Sequence, residues 1–432
     1  MFHGAAERGH PGAGLFYHTL WGKKQAFPHR EKKAVCIGFD GSYMARLYLD
    51  WNATAPLRPE ARAAALPAWD RVGNASSVHA EGRKARRLIE EAREQVAELV
   101  GASPKNVVFT SGGTEANALA LTPDIDVDGD RSARQRLLIS AIEHASVKAG
   151  GRFEVEQLES VPVTSHGDLD VPALATRLEA LSAEGATFIV SVQAANNETG
   201  VIQPIAEVAR LAHEHGALLH VDAVQAPGRI PCDLNSLGCD FLSISGHKIG
   251  APQGVGALVV REGVHARPLI TGGGQERGYR AGTENVAAIV GFGAAAAVLA
   301  ADALASCGSM RMLRDRLERG LREISSEVVI FGAERERLPN TTLFAVPGIT
   351  AETALIVLDL EGVAVSSGSA CSSGKVAPSH VLAAMGVRPE LARGAIRVSI
   401  GHSTTQTEIE MFLNTWAKFV GNLYKTRQTI AA

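Results

Sequence analysis

From Asp50 onward, short apolar runs alternate with amphipathic stretches. Leu88, Ile89, Ala92, Val96, Leu99 and Val100 recur at three- and four-residue spacing, which predicts a helix over 83–100. Short apolar runs at 106–110, 136–141, 187–192, 217–222, 240–245 and 256–260 predict strands. Residues 115–121 and 204–215 read as helices, the second stopped at Gly216. Strands this apolar, separated by helices, fit a mostly parallel sheet covered on both faces. The fold class is therefore α/β, with residues 59–305 as a large domain. The Ala- and Gly-rich run from Ala287 to Ala305 predicts a buried helix inside it.

Beyond Ser306 the order changes to a charged helix over 310–324, short strands, and helices near 379–385 and 407–420. This predicts a smaller α+β domain formed by 44–58 together with 306–432. Residues 1–43 keep neither period, and the pattern begins abruptly at Met44. The expectation is that Met44 is the natural start and that 1–43 is a non-native or disordered extension. The segment has neither the apolar core of a secretory signal nor the Arg/Ser pattern of a transit peptide.

Composition narrows the function classes. Lys and Arg number 43 against 46 Asp and Glu, a net charge of −3. That balance gives no electrostatic case for direct nucleic-acid binding or an anionic membrane. No run of about 18 uncharged apolar residues appears, so a helical membrane span is excluded. The five cysteines (Cys36, Cys232, Cys239, Cys307 and Cys371) are odd in number and never spaced as C-x-x-C. A disulfide framework or zinc knuckle is not expected; a reducing, cytoplasmic location is. Asp124, Asp126, Asp128 and Asp130 alternate in the 122–134 loop but lack the distal glutamate of a calcium loop, so a solvated loop is expected.

The chemistry collects where the strands end, which is where open α/β sheets bind ligands. After 106–110 comes Ser111-Gly-Gly-Thr114-Glu115 and a helix start, a setting for phosphate; by itself it also reads as a plain turn. Asp222 ends one apolar strand with Gln225 close behind, and a carboxylate there needs a partner such as a protonated ring nitrogen. Lys248 follows the next strand in Ser245-Gly-His-Lys, where partial burial would make its amine nucleophilic toward an aldehyde cofactor. His144 suits stacking on a ring and proton transfer. The amides of Asn196 and Asn197 suit a phenolic oxygen or a carboxylate. Arg397, alone in an apolar strand, suits a carboxylate. Cys371 sits among serines and glycines in Ser366-Ser-Gly-Ser-Ala-Cys-Ser-Ser-Gly374, a setting for an exposed, reactive thiol. Each residue alone admits a structural reading; together they favour a lysine-bound aldehyde cofactor.

The ordered blocks resemble the cysteine desulfurases of the nitrogen-fixation and housekeeping iron–sulfur type. They include Tyr48-Leu-Asp-Trp-Asn-Ala-Thr54, Thr110-Ser-Gly-Gly-Thr-Glu115, Asn196-Asn-Glu-Thr-Gly200, His220-Val-Asp-Ala-Val-Gln225, Ser245-Gly-His-Lys248, Arg280-Ala-Gly-Thr283 and Ser366-Ser-Gly-Ser-Ala-Cys371. The resemblance covers about 44–420. It implies a fold-type I pyridoxal 5'-phosphate enzyme with a seven-stranded sheet, acting as a homodimer. Lys248 would bind the cofactor aldehyde, Asp222 the ring nitrogen and Gln225 the ring hydroxyl, with His144 stacked on the ring. Gly113, Thr114, Ser245 and His247 would hold the phosphate, and Thr283 would reach the neighbouring subunit's phosphate. Asn197 and Arg397 would fix L-cysteine, and Cys371 would accept its sulfur as a persulfide, leaving L-alanine. Ala75 and Gln253 depart from the family's usual proline and lysine without touching a chemical role, and residues 1–43 have no family counterpart.

The resemblance further implies hand-over of sulfur to an acceptor protein such as an iron–sulfur scaffold. No resident metal is expected, and whether Cys371 ligates a cluster in transit stays open. A selenocysteine lyase or an aminotransferase would share Lys248, Asp222 and Arg397; a non-catalytic sulfur carrier would not need them, and the loop cysteine favours sulfur transfer from cysteine.

Overall fold

Seven strands form the principal sheet: β1 (Val107–Thr110), β2 (Arg136–Ser140), β3 (Leu158–Val161), β4 (Phe188–Gln193), β5 (Leu218–Asp222), β6 (Phe241–Ser245) and β7 (Gly256–Val260). This computed structural model describes residues 46–367 and 379–431. The expectation for 1–43 lies outside them. Residues 44–432 make one compact unit. The strand order is β1-β7-β6-β5-β4-β2-β3. Only β7 runs antiparallel to its neighbours, so the other six point their carboxyl ends the same way. Six strands fall where the hydrophobic runs placed them. The edge strand β3 was not anticipated, because Leu158 and Glu159 are only half-covered, Ser160 is exposed and the run carries no sustained apolar signal.

Helices cover both faces. Helices α1 (Pro59–Trp69), α2 (Ala80–Leu99) and the first half of α4 (Val286–Ile324) pack on one side, where Ile89, Phe109, Leu242 and Phe292 share a core. Helix α3 (Gly113–Ala120) packs on the other, with Leu119, Ile139, Ile189 and Phe241. The 39-residue α4 is one continuous helix. It therefore runs through the position where the domain boundary was drawn from sequence, and its second half contributes Leu317 and Leu321 to a separate core with Phe344, Phe412 and Trp416.

That second core lies on a four-stranded antiparallel sheet of β8 (Val329–Ile330), β9 (Thr341–Ala345), β10 (Ser366–Ser367) and β11 (Ile396–Ser399), ordered β8-β9-β11-β10. Helix α5 (Gln406–Ala431) covers it. The acidic 122–134 loop is partly a strand: Ile125–Val127 pairs antiparallel with Val264–Ala266. Two of its carboxylates are engaged within the turn, Asp126 with Arg131 and the Gly129 amide and Asp130 with Ser132, while Asp124 pairs with Arg267.

Candidate active site

Five parallel strand ends open onto one cavity of about 390 Å³, a size that suits a small cofactor with its substrate. The loops after β1, β2, β4, β5 and β6 carry Gly113 and Thr114, His144, Asn197, Asp222 and Lys248 to its wall. Arg397 reaches it from β11 and Ser367 from β10, so both sheets contribute to one site.

Lys248 ends the single 3-10 turn Gly246–Lys248 that follows β6. Two residues on, Gly250 has φ +82° and an added Cβ would lie 3.0 Å from the Pro56 carbonyl oxygen, so only glycine turns the chain there without strain. The Lys248 Nζ donates to the carbonyls of Asn52 at 2.5 Å and Ala53 at 2.9 Å. Burial, then the Arg397 and Arg229 guanidinium groups, push its ammonium down to about 7. Much of the amine is therefore unprotonated at neutral pH.

Asp222 closes β5 and is buried. Its carboxylate accepts from the Asn117 side chain at 2.8 Å and the Val224 amide at 3.0 Å. Asn117 also donates to Ser146 at 2.9 Å, and Ser146 is bonded to His144 Nδ1 at 2.8 Å. A chain of hydrogen bonds thus fixes the acid and the imidazole relative to each other. Gln225 donates to the Asn52 carbonyl at 3.1 Å and accepts from Arg229. Behind them Glu143 is fully buried; burial and the nearby Asp222 charge hold its carboxyl well above the usual range. Burial therefore favours the neutral form of Glu143, which lies behind the Asp222 side chain.

At the other end Gly113 and Thr114 open helix α3, beside Ser245 and His247. Gly112 precedes the first helical residue. His247 Nδ1 shares a hydrogen bond of 3.2 Å with Thr54, and burial with the neighbouring Lys248 charge lowers its pKa to about 4. Glu115 accepts from the Ser111 amide and from Arg280 at 2.9 Å each, which ties this cradle to the 272–283 loop.

Arg397 is buried, donating to the Asn197 carbonyl at 3.0 Å and to Asp50 at 2.7 Å, while its Nε has no partner among the described residues. The two asparagines divide. Asn196 turns inward, its side-chain oxygen capping the Glu198 and Thr199 amides, while Asn197 faces the cavity. Thr283 is exposed and outside the cavity wall. Cys371 lies outside the described residues; the chain leaves them at Ser367, on the cavity wall, and resumes at Ser379.

Sequence reasoning gave no role to Asp50–Thr54, yet this turn serves the whole site. It supplies acceptors to Lys248 and Gln225, Thr54 to His247, the Asn52 side chain to the Asn197 carbonyl and Asp50 to Arg397. Asn117 and Ser146 were also unassigned. Their signal was faint: one amide in the apolar second half of helix α3, and one hydroxyl two residues past His144.

The aminotransferase class-V profile matches residues 47–412. The chain belongs to the class-V aminotransferase family, among its cysteine desulfurases. It is 43% identical over 387 residues to a cysteine desulfurase of Cereibacter sphaeroides, spanning 88% of this chain and 97% of that one. It is 42% identical over 372 residues to an IscS-like cysteine desulfurase of Mycobacterium tuberculosis, spanning 85% and 94%. Among solved structures, a NifS-like protein from Rickettsia africae superposes with TM-score 0.77 at 36% identity, covering 87% of this chain and 99% of that one. Members of this family carry pyridoxal phosphate, and the donor set fits that cofactor. An amine of lowered pKa suits its aldehyde, a buried carboxylate its ring nitrogen, and a helix start with nearby hydroxyls its phosphate.

Proposed function

We propose that this chain is a pyridoxal phosphate-dependent cysteine desulfurase that converts L-cysteine to L-alanine and moves the sulfur onto Cys371 as a persulfide. The observation that carries this reading is the meeting, in one cavity, of a low-pKa Lys248, the paired Asp222 and the guanidinium of Arg397. When bound, the cofactor supplies an aldehyde for amines and an electron-withdrawing ring that makes the substrate Cα–H acidic.

The chain's own residues do the rest. Asp222 would hold a proton on the ring nitrogen, and His144 would cover the ring. Gln225 would contact the ring oxygen, and Gly113, Thr114, Ser245 and His247 would hold the phosphate. Arg397 and Asn197 fix the substrate carboxylate. The Lys248 amine takes the Cα proton. The Cys371 thiolate then attacks the substrate sulfur. The new S–S bond forms as the C–S bond breaks, the released electron pair stays with Cβ, and protonation of Cβ with return of the Lys248 proton to Cα gives alanine.

In this reading residues 59–305 are the large, cofactor-binding domain, and 44–58 with 306–432 form the small one. The protein acts in the cytoplasm as a homodimer, with Thr283 completing the neighbour's phosphate site. The acceptor is a protein such as an iron–sulfur scaffold, without direct contact to nucleic acid or membrane. No resident metal is involved; Cys371 is the residue that would ligate a cluster in transit.

The test is the yield of alanine and sulfide from L-cysteine with a reductant, for the parent and for Cys371→Ala. Equal yields of both products, lost in the variant while the loaded enzyme keeps its visible absorbance, are expected. An equally active variant would remove Cys371 from the mechanism, and 3-mercaptopyruvate in place of alanine and sulfide would make the protein an aminotransferase.

A further inference from the structure

We propose that Asp50 is a specificity-determining residue that holds the substrate-carboxylate position on Arg397 when no substrate is bound and is exchanged for that carboxylate when one arrives. The inference rests on the reading of Arg397 as the carboxylate grip.

The geometry supports exchange rather than permanent pairing. The Arg397 side chain is 7% exposed and pairs with Asp50 Oδ1 at 2.7 Å, the only carboxylate among the described residues within ion-pair distance of it. A guanidinium this buried is stabilised by a paired anion. Asp50 is 20% exposed, so its carboxylate can turn back to water when another anion takes over. The remaining partner, the Asn197 carbonyl, is neutral and occupies only NH1. Nε is buried with no partner among the described residues, on a residue that lines the cavity. A planar carboxylate needs two donors in a fork. Nε with NH2 forms such a fork, and Asp50 uses one half of it. An incoming carboxylate that takes both donors satisfies the orphan Nε and displaces Asp50 from NH2.

The Asp50 backbone can stay in place during this exchange. Its carbonyl accepts from the Tyr48 hydroxyl at 3.1 Å and from the Ala53 amide at 3.0 Å, and the residue bridges to Ser399 beside β11. Only the side chain must rotate, so the Asn52 and Ala53 carbonyls that hold Lys248 need not move. Asp50 thereby sets a threshold. A ligand gains from Arg397 only by bringing a carboxylate of its own, and an amide or an alcohol of the same size cannot replace the lost ion pair.

Asp50→Asn keeps the shape and an acceptor oxygen but removes the competing charge. The cofactor-loaded protein is titrated calorimetrically with propionate, a monocarboxylate without a reactive amine, and with propionamide. Asp50→Asn is expected to bind propionate about tenfold more tightly than the parent, with propionamide unchanged. Unchanged or weaker propionate binding would overturn the proposal, because a residue that merely props Arg397 in place loses affinity when altered. Should the variant not fold, a crystal structure of the parent with propionate answers the same question: Asp50 turned away from Arg397 supports exchange, and an intact 2.7 Å pair overturns it. Arg397→Ala separates the two readings. If it leaves the KM for L-cysteine unchanged, the carboxylate assignment itself is at fault; if KM rises while Asp50→Asn does nothing, only the exchange fails.

Discussion

At the residue scale the unusual group is Lys248. Burial and two guanidinium groups bring its ammonium down to about 7, against 10.5 for an ordinary lysine. The free amine is the form that attacks an aldehyde, and it accumulates as pH rises through the folded-state value. Loading of the cofactor-free protein should therefore quicken with pH around a midpoint near 7, followed by the growth of visible absorbance after mixing with pyridoxal phosphate. Arg397 repels the ammonium, so Arg397→Ala should move the midpoint upward. A midpoint near that of ordinary lysine in the parent would show that the amine is solvated and that burial does not tune it. The sequence foretold part of this. A lysine one turn beyond a buried strand is conspicuous. The hub at Asp50–Thr54 was not legible, because Asn52 and Ala53 act on Lys248 through backbone carbonyls that any residue would carry.

At the element scale, the alternation of apolar runs located β1, β2 and β4–β7 because these strands are buried along their length, and a buried strand must be apolar on both faces. Helix α4 was read in two pieces, since its composition changes from Ala- and Gly-rich to charged while its backbone does not change at all. The loop at 275–278 was opaque for a different reason. Glu276 and Arg277 have φ of 45° and 56°, a left-handed conformation that side-chain-bearing residues adopt at a cost. Tertiary bonds hold it there. Glu276 is 2% exposed and takes both terminal nitrogens of Arg93, itself 1% exposed, together with the Phe109 amide at 2.8 Å. Removing one partner leaves the other charge buried alone. Arg93→Ala should cost about 3–5 kcal/mol in denaturant unfolding. Arg87→Ala, on the exposed face of the same helix, should cost less than about 0.5 kcal/mol. Similar losses for the two would mean that the buried pair does not organise this loop.

For the whole molecule, the question is where the phosphate site ends. Gly113, Thr114, Ser245 and His247 surround one side of it within a single chain. Thr283 lies beyond the cavity wall, although its loop is tied to the cradle through Arg280 and Glu115. Thr283 thus does not line its own chain's cavity, and the homodimer proposal assigns it to the neighbour's phosphate. Complementation tests it. Thr283→Ala homodimers should bind pyridoxal phosphate more weakly than the parent, and Lys248→Ala homodimers should show no lysine-bound absorbance. In a mixed dimer of the two variants, one site combines an intact Lys248 with an intact Thr283 contributed across the interface, while the other site lacks both. Unfolding and refolding the variants together should therefore restore, in the heterodimers, one site per dimer with the affinity of the parent, read by absorbance during pyridoxal phosphate titration. If instead each residue served its own subunit, every site in the mixture would carry one defect or the other, and no tight-binding fraction would return.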